Sequence, residues 1–149
     1  MKTGAIAILL TSLAQAASTD RPFDSAQGKP PTRNVGTMSE LMVKIIYPTS
    51  DALFYIESRT PKTEAEWGAL EGQALMLAES ANLLMMPGRA RDQQDWMKYS
   101  RLMLDAAADA LTAAKKKDVD GIVFVGEQLL ESCTACHKGY RKDYGKPRG

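Results

Sequence analysis

Residues 133–137 read Cys133-Thr134-Ala135-Cys136-His137, which gathers both cysteines and the single histidine of the chain into one short run. On a helix, positions i, i+3 and i+4 share a face, so Cys133, Cys136 and His137 project to the same side. Two thiols beside an imidazole suit one chemistry above others. The thiols add to the two vinyl groups of a haem while the imidazole reaches the iron, the C-x-x-C-H pattern of c-type attachment. Three alternatives use similar residues. A structural zinc ion needs a fourth ligand, usually Cys or His, and the chain has neither left. A thioredoxin-like C-x-x-C opens a helix near a βαβ pattern, whereas this one falls late in a helical segment. A Cys133–Cys136 disulfide suits an oxidising compartment, but i, i+3 spacing on a helix is awkward for it. The spacing therefore predicts one covalent haem c on Cys133 and Cys136, with His137 as the proximal iron ligand.

The elements that must position this face read as four helices. Aromatic residues are only 7% of the chain, Ala and Met are plentiful and β-branched runs are scarce, a balance that leans towards helix. The first helix opens at Thr37-Met-Ser-Glu40, a capping-box spacing, and is expected to run to about Ser58 with a kink or break at Pro48. A second box, Thr63-Glu-Ala-Glu66, opens a helix that Pro87-Gly88 ends after Met86. Its apolar stripe is Trp67, Leu70, Ala74, Leu77, Ala81 and Leu84. A third helix is expected over about Gln93 to Lys117, with Trp96, Tyr99, Met103, Ala106 and Ala110 on one stripe. The fourth follows Asp118 or Asp120 as a cap and carries Ile122, Val125, Leu129 and Cys133 towards Tyr140. One apolar stripe per helix predicts an all-α, up-down-up-down four-helix bundle, with the haem motif near the C-terminus.

Residues 1–16 read as a secretory signal: Lys2, then a short apolar stretch from Gly4 to Leu13, then Ala14-Gln15-Ala16 as a small-x-small cleavage site. The apolar stretch is too short to cross a bilayer as a helix, and no integral membrane span is expected elsewhere. Export to the periplasm fits, since c-type haem is attached outside the bacterial cytoplasmic membrane. Residues 17–36, with three prolines and Phe23 and Val35 as the only large apolar side chains, read as a flexible linker. Residues 37–149 are expected to form the haem domain. With 19 Lys+Arg against 18 Asp+Glu, the chain offers no support for nucleic-acid binding.

A four-helix chain with one C-x-x-C-H close to its C-terminus resembles the class II cytochromes c, the cytochrome c′ family. The resemblance runs from Thr37 to Tyr144. It is carried by the motif and its continuation into Tyr140-Arg141, by Glu40-Leu41-Met42 in the first helix, and by Asp95-Trp96 at the start of the third. Class I cytochromes c differ, with the motif near the N-terminus and a Met ligand after it; here no Met follows the motif. Two features depart from the family pattern: Met38 stands where an Arg is common, and Pro48 interrupts the first helix.

The resemblance implies that the distal haem face is covered from the first helix, where Met42 matches the distal position. Met38 lies one turn earlier. Arg141, one turn beyond His137, is expected near the haem edge, and Trp96 is a candidate for haem contact. With no second His, a strong sixth ligand must come from Met, Lys or a terminal amine. Met42 ligation and an unliganded Met42 that merely covers the iron both stay open. The first gives low-spin iron and electron transfer to a redox partner protein; the second gives five-coordinate iron open to nitric oxide or carbon monoxide. Nothing besides the haem supplies a nucleophile, general base or substrate-pocket motif, so no enzyme is expected. The resemblance also implies a homodimer built from the first two helices.

Overall fold

The computed structural model describes residues 32–146. The signal expected over residues 1–16 and most of the expected linker, including Phe23, lie outside the described residues. Among those described the chain is all-helical, with four helices and no strand.

Both capping boxes form. Thr37 Oγ1 accepts the Glu40 N–H at 3.2 Å while the Glu40 carboxylate accepts the Thr37 N–H at 2.9 Å. Thr63 and Glu66 repeat the arrangement at 3.2 and 3.1 Å. Each reciprocal pair satisfies donors that a helix start would otherwise leave free.

The first helix covers residues 38–54 and differs from expectation in where it is disturbed. It begins as Met38–Leu41, widens to a π-helical stretch over Met42–Ile46, and resumes as Tyr47–Phe54. Pro48 is accommodated within the helix rather than breaking it. Its ring has no N–H and crowds the carbonyl four residues back, so the ladder loosens just upstream, where the Tyr47 N–H bonds to Met42 O. Side-chain hydroxyls take up carbonyls around the proline: Thr49 Oγ1 donates to Ile45 O at 2.7 Å and Ser50 Oγ to Tyr47 O at 3.0 Å. The helix ends at Phe54, short of Ser58, in a turn fastened by an Arg59–Asp51 ion pair at 2.8 Å.

The second helix, Glu64–Met85, buries all six residues of its expected stripe. The third, Asp95–Lys115, is rotated slightly from its expected face: Ser100 and Ala107 are fully inside, whereas Tyr99 is half-buried. The fourth, Val119–Tyr140, is capped by Asp118, whose side chain accepts the Gly121 N–H at 2.9 Å. Only residues 116–118 separate the third helix from the fourth, and the two pack side by side along much of their length. The first helix packs more closely on the second than on the fourth. That looser seam holds the site.

The end of the expected linker is not free. Arg89, after the second helix, donates through Nε to Asn34 Oδ1 at 3.0 Å and through Nη2 to Gly36 O at 3.2 Å. Gly88 makes room for this clip, because its φ of 81° favours glycine and a Cβ there would lie 3.0 Å from the Asn34 amide.

Candidate functional site

The last turns of the fourth helix present Cys133, Cys136, His137, Tyr140 and Arg141 on one face, and all five line a cavity of about 690 Å³. That volume lies within the roughly 300–1,000 Å³ typical of cofactor sites. The opposite wall comes from the first helix, through Met38, Met42 and Ile46, with the exposed Val43 and Tyr47 on the solvent side. The third helix adds Trp96, and the loop before it adds Arg91. The seven residues that the sequence singles out (Cys133, Cys136, His137, Met42, Met38, Arg141 and Trp96) therefore border one cavity. Trp67 lies apart from it, in the core.

A smaller pocket of about 40 Å³ adjoins the same face, bordered by Met42, Cys133, Cys136 and His137 and extended by Ser100 and Ser132. Ser132 Oγ donates to Leu129 O at 2.8 Å. Ser100 Oγ is buried without a hydrogen-bond partner. Unsatisfied buried hydroxyls are uncommon in folded proteins.

The chemistry of the motif is set by its half-buried position. Both thiols are free. Burial pushes the Cys133 thiol above its ordinary value and pushes Cys136 up to about 11, with the neighbouring Cys133 adding to the latter. Neither is a ready thiolate, whereas disulfide oxidoreductases depend on one. Burial, followed by the charge of Arg141, lowers the pKa of His137 and keeps the imidazole neutral, the form that binds a metal. The Tyr144 ring lies 5.5 Å from that of His137, and the Arg141 N–H bonds to His137 O at 3.0 Å. Among the described residues no three or more His, Cys, Asp or Glu are grouped to hold a metal ion by themselves.

Residues that sequence reading did not select also shape the site. Asp92 Oδ1 accepts the N–H groups of Gln94 at 2.9 Å and Trp96 at 3.1 Å, capping the third helix from outside. Its other oxygen accepts the Tyr140 hydroxyl. Trp96 stacks edge-on against Tyr140 with ring centres 5.0 Å apart, and its Nε1 donates to Leu84 O at 2.8 Å. Three helices thus meet at one corner of the cavity. Asp-x-x-x-Trp upstream of a helix is a legible capping signal; the reach of Tyr140 to Asp92 is not, because it depends on tertiary packing.

No family model matches the chain, and neither does any curated protein or solved structure. None of the helices among the described residues is long and apolar enough to cross a membrane.

Proposed function

We propose that this chain is a c-type cytochrome of the class II kind, an up-down-up-down four-helix bundle that carries one covalent haem and transfers single electrons in the periplasm after export. The observation that carries this reading is the single cavity shared by Cys133, Cys136, His137, Met42 and Trp96. Its residues fit the group: apolar walls, two thiols and an imidazole on one helix face, and a thioether on the facing helix. Reduced, unpaired thiols are what thioether formation needs, a net addition in which sulfur bonds to one vinyl carbon and hydrogen to the other, with no oxidant consumed.

Cys133 and Cys136 would hold the haem and His137 would bind its iron, with Met42 as the sixth ligand. The bound group supplies a reversible one-electron iron couple, whose potential depends on axial ligand and burial. The protein does the rest. Met38, Ile46 and Trp96 would give the haem an apolar wall, and Tyr140 and Asp92 would hold the end of the fourth helix so that the imidazole stays oriented. The partner is a redox protein, and a homodimer through the first two helices belongs to the same reading.

The apolar wall of Met38, Met42 and Ile46 also suits a neutral diatomic gas, which is the second reading. Absorption and electron paramagnetic resonance of wild type and Met42→Ala separate the two. Low-spin ferric iron that becomes high-spin on substitution supports electron transfer. Ferric iron already high-spin and unchanged by Met42→Ala would move the function to capture of nitric oxide or carbon monoxide.

A further inference from the structure

The 690 Å³ cavity is bordered by two charged side chains of like sign, Arg91 and Arg141, and by no carboxylate. The loop that delivers Arg91 is pinned on both sides. Arg89 is bonded to Asn34 and Gly36, and Asp92 holds the start of the third helix. Arg141 is the C-cap of the fourth helix, its backbone N–H bonded to His137 O.

Two of the acids nearest in sequence are already engaged. The Asp92 carboxylate is occupied by Tyr140 and two backbone N–H groups. Asp143 pairs with Lys146 at 2.8 Å. Among the described residues neither Arg91 nor Arg141 forms an ion pair. Two guanidiniums at the edge of an apolar cavity, unpaired with any carboxylate among the described residues, leave a site for an anion borne by whatever fills the cavity. A guanidinium is the side chain best shaped for a carboxylate, since its N–H groups meet both oxygens in one plane.

We propose that Arg91 and Arg141 together form the anion site for the carboxylates of the bound haem, with Arg91 acting from the loop between the second and third helices. The proposal rests on the haem reading above and adds the residues that set the group's orientation and charge balance. Arg91 stands beyond the motif and its flanks, and nothing in the sequence pattern marks it. A cation paired with a haem carboxylate also offsets negative charge near the iron and so favours the reduced, less positive form.

The test is a redox titration and resonance Raman spectrum of the holoprotein for wild type, Arg91→Gln and Arg91→Lys, with Arg59→Gln as a control outside the cavity. Arg91→Gln is expected to disfavour reduction about threefold, a fall of about 28 mV at roughly 59 mV per tenfold for one electron. It is also expected to shift the carboxylate bending band, which follows hydrogen bonding to these groups. Arg91→Lys restores most of the potential, and Arg59→Gln leaves both readouts at wild-type values. Haem-loaded Arg91→Gln with unchanged potential and unchanged bending band overturns the anion site while leaving the cytochrome reading intact. Wild-type protein without covalent haem overturns both.

Discussion

Tyr140 donates its hydroxyl to Asp92, joining the end of the fourth helix to the residue that caps the third. Tyr140 lies one turn beyond His137, so this bond holds the turn that carries the imidazole. Tyr140→Phe keeps the ring that packs on Trp96 and removes only the hydroxyl. Its melting temperature is expected to fall below that of wild type, as is that of Asp92→Asn. Because the two groups share one bond, the double variant should lose less than the sum of the single losses. Strict additivity in thermal denaturation would show that the bond contributes nothing.

The same bond predicts a pH dependence. The Tyr140 hydroxyl, helped by backbone N–H groups, holds the Asp92 carboxyl below its ordinary value. A depressed folded-state pKa means stabilisation that is present above the unfolded carboxylate value, about 3.9, and lost as pH falls through the folded one. Tyr140 behaves in the opposite sense, pushed up to about 12 chiefly by its bond to Asp92. Its contribution is complete below the unfolded phenol value, about 10, and disappears as pH rises through the folded value. The melting-temperature gap between wild type and Tyr140→Phe should therefore be level near neutrality and close at both extremes. A gap that persists unchanged into acid would contradict the assignment.

Ser100 offers a test of the smaller pocket. A buried hydroxyl with no partner costs about 1–3 kcal/mol of desolvation. Ser100→Ala in haem-free protein is thus expected to be neutral or stabilising by about 1 kcal/mol in urea denaturation. A destabilisation of that size would mean that a buried water completes the hydroxyl's bonding in the pocket of about 40 Å³.

Much of this arrangement is legible in local sequence, because local physics sets it. Thr37–Glu40 and Thr63–Glu66 announce helix starts through bonds that span three residues, and the stripe from Trp67 to Leu84 follows from helical period alone. Cys133, Cys136 and His137 share a face for the same reason. What local pattern misses depends on neighbours. Pro48 signals a disturbance but not its placement, since relief comes upstream at Met42–Ile46. Tyr99 and Ser100 exchange the expected degrees of burial because the packing of the third helix decides its rotation. Arg91 is one arginine among several until the folded loop brings it to the cavity wall.

Binding of haem to Cys133 and Cys136 is read out by the pyridine haemochrome spectrum and intact mass of the full chain produced in a host that attaches haem to exported proteins. One covalent c-type haem per chain is expected, with no titratable thiol, and Cys133→Ala with Cys136→Ala should abolish attachment. Protein carrying two free thiols and no haem under those conditions would contradict haem binding and leave a haem-free helical module.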